Sequence, residues 1–276
     1  KVKMRAQQLF SAIYKKGLTN FNDLTTVTQE LRKELDNVLS LDLPKIVKTE
    51  IADDKTIKWL LELNDENKNA VIIDPVKEQF ERDSFIIDDL GLTLHFIIET
   101  HIHADHITSA YLLKKKFNSK IVYGDKNEVK GADLFLKDGE ILRVGKLELK
   151  IIHTPGHTAG CISIFAGKNV FTGDTLFIRG AGRTDFQGGS AQSSFDSIKT
   201  KLYRLPDETV VFPAHDYKGI TSSTIKQEKK WNQSINNGTS LDDYIKSELK
   251  KDRPYPKKFD IAVPANTFCG DSTKTA

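Results

Sequence analysis

The feature that most constrains the fold is a cluster of histidines directly after a short apolar segment. Residues 92–98 read LTLHFII, and residues 100–106 then read THIHADH. Side chains two positions apart on an extended segment point to the same side, so His101 and His103 are expected to face one space at a strand end. Imidazoles and carboxylates gathered in this way suit a transition metal. Together with Gly173-Asp174 further along the chain, the cluster predicts a metal site.

Length and composition set broad limits on the protein. The 276 residues allow one large domain with a small appendage and a sizeable core. No apolar run approaches the length of a bilayer-spanning helix, so no membrane span is expected. The two cysteines, Cys161 and Cys269, are too few for a disulfide framework and favour a reducing compartment. The cytoplasm is therefore the predicted location, and the mitochondrial matrix is the alternative if the basic amino terminus is a transit signal.

Hydrophobic periodicity divides the chain near residue 50. Before it, apolar residues at helical spacing predict helices over residues 4–16 and around residues 27–39. After it, short apolar segments alternate with polar turns, and an amphipathic helix is predicted over residues 77–90. The predicted strands are 56–63, 70–74, 94–99, 120–123, 147–153, 161–166, 169–172 and 209–213. This series predicts an α/β domain over residues 51–276, with its site on loops at strand ends.

Most of the histidines lie in motifs that can carry chemistry. These are His101, His103 and His106 in the cluster, His157 in HTPGH at 153–157, and His215 in FPAHDY at 212–217. The order His-x-His-x-Asp-His, Gly-His, Gly-Asp and a late His resembles the metallo-β-lactamase superfamily. The resemblance implies an αββα sandwich, here preceded by a small helical segment. His95 and His153 lie within strand patterns and are expected to be ordinary hydrogen-bonded core residues.

Two families within that superfamily compete for this sequence. Glyoxalase II, a thiolester hydrolase, shares GDTLF at 173–177 and the later Gly182-Arg183. The continuation IRGAGRTDFQ at 178–187 instead resembles the persulfide dioxygenases of the ethylmalonic-encephalopathy protein type. Further segments that carry this resemblance are IDPV at 73–76, ETHIHADHIT at 99–108, DIAVPAN at 260–266 and Cys269-Gly270. The resemblance implies an iron-dependent persulfide dioxygenase, and a glyoxalase II-like dinuclear hydrolase of glutathione thiolesters is the alternative.

The resemblance also implies a set of metal ligands and a reaction. In the dioxygenases one Fe(II) per chain is held by two histidines and one aspartate, and the matching positions are His101, His157 and Asp174. Such a set leaves coordination positions open for O₂ and a sulfur ligand side by side. The implied reaction converts glutathione persulfide and O₂ to sulfite and glutathione.

Four further positions match the remaining superfamily motif. They are His103, Asp105, His106 and His215. In the dioxygenases these residues surround the iron, and as catalytic groups they are expected to orient ligands or bond to the substrate. Every residue that a second metal ion needs is nevertheless present, so the sequence leaves one metal or two open.

The expected substrate is an anion with two carboxylates and a readily ionised sulfur. A guanidinium suits a carboxylate because it donates two parallel hydrogen bonds. Arg183 is the leading candidate for substrate binding, followed by Arg179 and Tyr217. The alternative is that these arginines only tie a glycine-rich loop to the domain. Thr172 and Asp185 are expected to brace the site without touching the substrate.

Residues 1–50 fall outside this family pattern. Through RAQQLF at 5–10 and LRKEL at 31–35 they resemble the N-terminal accessory domain of radical-SAM rRNA adenine methyltransferases. Two lone cysteines cannot supply the three-Cys iron-sulfur motif of those enzymes, so no methylation is expected. The first 22 residues carry five basic and no acidic side chains, which suits RNA contact, a transit peptide or a solvated helix face. An RNA-associated protein with a secondary metal site is the third hypothesis, and a homo-oligomer is expected.

Overall fold

The computed structural model describes residues 24, 26–38, 45–51, 57–62, 68–217, 219–271 and 273–274. The chain forms two compact units, Lys1–Ile46 and Val47–Ala276. In the first unit helix α1 spans Gln29–Val38, which confirms the second predicted helix. The Thr28 hydroxyl accepts a hydrogen bond from the Leu31 N–H at 3.4 Å, as an N-cap does. The predicted helix over residues 4–16 lies outside the described residues.

From Lys45 onward the described strands form two six-stranded sheets and a small hairpin. In the order in which they lie side by side, the strands of the first sheet are β1 (Lys45–Ile51), β2 (Ile57–Glu62), β3 (Asn69–Ile73), β4 (Thr93–Ile98), β5 (Lys120–Gly124) and β6 (Leu134–Leu136). Those of the second are β7 (Ile141–Val144), β8 (Leu147–His153), β9 (Ile162–Ala166), β10 (Asn169–Gly173), β13 (Val210–Pro213) and β14 (Ser223–Thr224). The hairpin consists of β11 (Leu176–Phe177) and β12 (Gly180–Ala181). The strands β3 to β6 pair in parallel, as does β10 with β13.

Helices cover the outer faces of both sheets. They are α2 (Phe80–Asp89), α3 (Ala110–Phe117), α4 (Ala191–Asp196), α5 (Ile225–Trp231), α6 (Leu241–Leu249) and α7 (Phe259–Thr267). The predicted helix over 77–90 begins with a 3₁₀ turn, Lys77–Gln79, before α2. A π-helix, Ser197–Lys201, continues directly from α4. None of the described helices combines the length and the apolar character needed to cross a membrane.

Successive side chains on the central strands point to opposite faces of the sheet, so they belong to two different apolar clusters. On β4, Ile97 faces the cluster that contains Ile87 of α2 and Leu113 of α3. The next residue, Ile98, faces the second sheet and packs with Ile164 of β9. This period of two puts one apolar face against helices and the other against the opposite sheet. A third cluster buries the outer face of the second sheet under helices, and the predicted αββα sandwich is confirmed.

The chain leaves both sheets at one edge to form the site. The histidine cluster follows β4, Asp174 follows β10, and His215 follows β13. Ile162 N–H, at the start of β9, donates to the Thr100 carbonyl at 2.9 Å, and Ala214 N–H, after β13, donates to the Gly173 carbonyl at 3.1 Å. Gly173 has a φ of +49°, and a Cβ there would lie 2.5 Å from Thr100 Oγ1. Only glycine permits this close approach of β10 to the histidine loop.

Candidate metal centre

The three predicted metal ligands converge at this edge of the two sheets. His101, His157 and Asp174 each place one potential ligand atom within 4.8 Å of the others. His157 Nε2 lies 3.6 Å from Asp174 Oδ2. The rings of His101 and His157 meet edge to face, with centroids 4.9 Å apart. Two imidazoles and one carboxylate therefore line one side of a small buried space.

Hydrogen bonds fix which nitrogen of each imidazole faces that space. The Thr100 hydroxyl donates to Asp74 Oδ2 at 2.8 Å, so it accepts from His101 Nδ1 at 2.9 Å. His157 Nδ1 donates to the Arg183 carbonyl at 2.8 Å. In both rings Nδ1 carries the proton, which leaves the Nε2 lone pair to bind a metal. Burial lowers the pKa of His101 well below its ordinary value, and the neighbouring His103 and His157 act in the same direction.

The donor set fits a divalent transition metal. Asp174 Oδ1 and Asp105 Oδ2 are buried and accept no hydrogen bond from any described residue. A buried carboxylate oxygen without a donor is costly, and a bound cation removes that cost. Imidazole nitrogens and a carboxylate on one side are typical ligands of iron and related ions. The residues present therefore fit the implied metal.

The four other predicted positions lie around the same space. His106 Nδ1 is 3.1 Å from Asp105 Oδ1. His215 Nε2 is 3.5 Å from both Asp105 Oδ2 and Asp174 Oδ1. His103, Asp105 and His106 also place ligand atoms within 4.8 Å of one another. The structure brings together all seven residues that the motifs predict, including those that a second ion would use.

His103 differs from its neighbours because two buried carboxylates hold its ring. Its Nε2 lies 3.0 Å from Asp74 Oδ1 and 3.2 Å from Glu99 Oε2. Burial alone would lower the pKa of His103, but the two carboxylates outweigh it and hold the pKa well above its ordinary value. Sequence reasoning missed Glu99 and Asp74 as members of this network. Their position directly after β4 and β3 was the available signal.

A cavity of about 540 Å³ opens in front of the predicted metal ligands. Its walls are largely apolar and aromatic, with a few cationic groups, as in many small-molecule sites. The lining residues outside the metal centre include Phe177, Phe186, Tyr217, Pro254, Pro256, Arg179, Arg183 and Arg253. All three predicted substrate-binding residues are among them. Sequence reasoning missed Arg253, whose only signal was the break of a Lys-rich helical pattern by the following proline.

Arg183 joins the loop after β12 to a distant segment of the chain. Its Nε and Nη2 donate to the two carboxylate oxygens of Asp185, both at 2.7 Å. The same guanidinium donates to the carbonyls of Pro254 at 2.7 Å and Arg253 at 3.0 Å. It also lies over the Phe186 ring, 4.5 Å from the centroid. These contacts use four of its five N–H groups.

The other polar groups of the cavity, on Arg179, Tyr217 and Arg253, differ in how closely neighbouring side chains contact them. Arg179 Nη1 donates to the buried carboxylate of Glu228, and the Arg179 backbone N–H donates to the same side chain at 2.8 Å. The Tyr217 ring stacks on His215 at 5.6 Å and is 56% exposed. Arg253 lies 3.5 Å from Glu248 Oε2, whereas Lys251 bonds the other oxygen of that carboxylate. Of the three arginines, Arg253 has the weakest carboxylate contact among the described residues.

Comparisons with known proteins agree with this geometry. The model of the metallo-beta-lactamase superfamily matches residues 59–215. The mitochondrial persulfide dioxygenase ETHE1 of Homo sapiens is 40% identical over 213 residues, which cover 76% of this chain and 83% of that protein. A crystal structure of ETHE1 from Myxococcus xanthus is 41% identical with a TM-score of 0.77, covering 81% of this chain and 98% of that one. Hydroxyacylglutathione hydrolase GloC of Haemophilus influenzae is 37% identical over 62% of this chain and 90% of that protein.

Proposed function

The chain belongs to the persulfide dioxygenases of the metallo-β-lactamase superfamily, and we propose that it oxidises glutathione persulfide with O₂ at one Fe(II) to sulfite and glutathione. The observation that carries the iron assignment is the convergence of His101, His157 and Asp174. Two imidazoles and one carboxylate are the ligand set of many non-haem Fe(II) oxygenases. The membership favours this reaction over thiolester hydrolysis.

The metal and the protein have separate tasks in this proposal. His101, His157 and Asp174 would hold the Fe(II), which would supply the redox chemistry that activates O₂ toward a persulfide in the cavity. Thr100 and the Arg183 carbonyl hold the two histidine ligands in the tautomer that presents Nε2. The aromatic walls formed by Phe177 and Phe186 keep bulk water away from the reacting sulfur.

Four residues around the ligands are proposed as catalytic groups. They are His103, Asp105, His106 and His215. His215 Nε2 lies 3.5 Å from Asp174 Oδ1, which suits a role in orienting the carboxylate ligand. Asp105 pairs with both His106 and His215, so it links the two imidazoles on that side of the centre. Asp74 and Glu99 fix the ring of His103.

The arginines of the cavity already have carboxylate partners in the protein. Arg183, Arg179 and Tyr217 line the cavity, which supports their proposed contact with the thiol portion of the substrate. The charges of Arg183 and Arg179 are balanced by Asp185 and Glu228. Among the described residues the carboxylate contact of Arg253 is the longest of the three, so we add Arg253 as the partner of a substrate carboxylate. Arg183 and Arg179, whose charges are already neutralised, then contact the thiol portion mainly as part of the cavity wall.

The direct test of this function uses anaerobically purified protein loaded with iron. An oxygen electrode records O₂ uptake when freshly made glutathione persulfide is added, and sulfite is measured in the same sample. The proposal predicts uptake that depends on both iron and persulfide, with sulfite as product. Cleavage of S-lactoylglutathione by a two-metal form, without sulfite from the persulfide, would show that the protein is a hydrolase.

Other parts of the functional picture rest on the sequence. RNA contact through residues 1–50 and a homo-oligomeric state remain predictions. Salt-sensitive RNA binding that disappears on deletion of residues 1–50 would support the first, because phosphate contacts weaken steeply with salt. The cytoplasm is the proposed location. The mitochondrial matrix stays the alternative, and relatives from Homo sapiens and Bos taurus are named as mitochondrial.

A further inference from the structure

One buried side chain joins the carboxyl-terminal part of the chain to the histidine loop. Asn266 lies on α7 and is fully buried. Its Nδ2 donates to the backbone carbonyls of His103 and His106, each at 2.8 Å. Its Oδ1 accepts from the backbone N–H of Thr108 at 2.9 Å. A single amide group therefore bonds three backbone groups of residues 103–108.

Asparagine is well suited to this position because its amide both donates and accepts. Residues 103–108 run between β4 and α3, where regular secondary structure does not pair the backbone groups. Buried backbone groups need partners, and Asn266 provides three of them at once. An aspartate of the same size would keep the acceptor for Thr108 but lose both donors. It would also set a carboxylate against the carbonyl oxygens of His103 and His106.

Contacts independent of Asn266 hold the segment that follows it. Tyr111 N–H donates to the Cys269 carbonyl at 3.0 Å, and Lys130 N–H donates to the Thr267 carbonyl at 2.7 Å. Gly270 has a φ of +77°, and a Cβ there would lie 2.2 Å from the Thr108 carbonyl oxygen. The segment 267–270 is thus fixed on α3 and on the loop before β6. The histidine loop is therefore held against a rigid support.

The same contacts continue to a group at the metal centre. The Thr108 hydroxyl donates to Glu99 and accepts from the Ala110 N–H at 3.0 Å. Glu99 in turn lies 3.2 Å from His103 Nε2. The backbone and the ring of His103 are therefore restrained from two directions, by Asn266 and by Glu99. Every side chain in this path is buried.

We propose that Asn266 is a positioning residue of the metal centre. Its three hydrogen bonds fix the backbone conformation of residues 103–108. They thereby orient the side chains of Asp105 and His106 toward the space that His101 borders. The proposal rests on the metal site proposed above. It extends that site to a side chain 163 positions from His103 in the sequence that touches neither metal nor substrate.

The test is a titration of metal-free protein with Co²⁺, followed through the visible absorption of the bound ion. Asn266→Asp is the main variant because it changes the donors with little change in size. Groups bonded to metal ligands typically change metal affinity by about 10–100-fold, and Asn266 acts one step further out, on residues beside the proposed ligands, so we expect the Kd for Co²⁺ to rise by up to about tenfold. We also expect an altered absorption band, which a general loss of stability would not produce. Asn69→Asp is the matched control.

The control and the fallback variant make the outcome decisive. Asn69 is also buried, but it begins β3 at the opposite end of the sheet, so its variant should bind Co²⁺ like the wild type. If Asn266→Asp does not fold by circular dichroism, Asn266→Ser, which adds no charge, is titrated instead. A folded variant with wild-type affinity and spectrum would overturn the role of Asn266. Failure of the wild-type protein to bind any transition metal would overturn the proposed function instead.

Discussion

The metal centre and the substrate cavity are built in different ways. In the centre, His101 and His157 are buried, and each has its second nitrogen bonded to a neighbouring group. In the cavity, Tyr217 is 56% exposed and Arg253 lies 3.5 Å from its carboxylate partner. The centre is preorganised before substrate arrives, whereas the cavity keeps polar groups that can still adapt. Changes in the centre should therefore remove the reaction, and changes in the cavity should mainly alter substrate binding.

The largest effect is expected at the carboxylate ligand. Asp174→Ala removes the one anionic ligand and should abolish both iron binding and activity, because two imidazoles alone hold Fe(II) weakly. Iron per chain, measured by inductively coupled plasma mass spectrometry after anaerobic loading, checks this. Asp196→Ala, on α4 outside the centre, is the matched control and should keep its iron. Unchanged iron content in Asp174→Ala would refute the ligand assignment.

A smaller loss is expected one contact away from the metal. Thr100→Val keeps the shape of the side chain but removes the acceptor for His101 Nδ1 and the donor to Asp74. The tautomer of His101 is then no longer fixed, so the affinity for Fe(II) or Co²⁺ should fall about 10–100-fold. Thr93→Val, at the exposed start of β4, should leave it unchanged. Equal affinities for the two variants would mean that preorganisation of the centre has no energetic weight.

The cavity should respond differently from the centre. Arg253→Ala should raise the KM for glutathione persulfide and leave kcat nearly unchanged, because the contact is made equally in the ground state and the transition state. We expect a rise of about tenfold, which is the loss of one charged contact of about 1.4 kcal/mol. A persulfide without carboxylates serves as the internal control, since its KM should not change. A fall in kcat with both substrates would show that Arg253 supports the fold or the metal.

Arg183 contacts both the metal centre and the cavity wall, so one substitution can test the two regions separately. Its guanidinium bonds Asp185 and the Pro254 carbonyl, and its own carbonyl accepts from His157 Nδ1. Arg183→Ala removes the first two contacts but keeps the third, so iron content should be retained while KM rises. Kinetics and iron analysis on the same preparation check both parts. Loss of iron in this variant would mean that the cavity wall and the centre are not separable.

The smallest effect is expected at Asp138, which lies outside both the metal centre and the cavity and should affect only the stability of the fold. Burial raises the pKa of Asp138, but the bonds from Lys201 Nζ and the His153 backbone N–H outweigh it and hold the pKa below its ordinary value. A carboxyl group whose pKa is lower in the folded state stabilises that state at pH values above the pKa of the same group in the unfolded chain. This contribution is lost as the pH falls through the pKa that the group has in the folded state. Because the carboxylate is half exposed, the contribution should be below about 1 kcal/mol. Urea unfolding of Asp138→Asn between neutral and acid pH should show a slightly flatter decline; an identical decline would contradict this.

Local patterns predicted the central strands well, and they also predicted residues that the structure brings together at the candidate metal centre. The strand 94–99 was predictable because an apolar run ends just before the histidine motif, and β4 ends at Ile98. The short strands β6 and β7 were missed, since three or four residues are too few for a period of two to emerge. One predicted helix became a 3₁₀ turn followed by α2, where the Lys77 N–H bonds the Ile107 carbonyl. Tertiary contacts decided these boundaries.

The support of the centre and the cavity could not be predicted in the same way. Asn266 is an ordinary helix residue in the sequence, and its three bonds to residues 103–108 depend on how the chain returns. Glu99 reads as the polar end of a strand until its distance of 3.2 Å from His103 is known. The carboxylate partners of Arg183 and Arg179 likewise depend on packing. Composition reveals the charges, but only the fold shows which of them neutralise one another.

The proposed function depends on one metal ion held by His101, His157 and Asp174. Anomalous diffraction at the iron edge, from crystals of active protein grown without oxygen, tests it most directly. We expect one strong peak within bonding distance of the Nε2 atoms of both histidines and of the aspartate carboxylate. Two peaks of similar height, with the second among Asp105, His106 and His215, would contradict it.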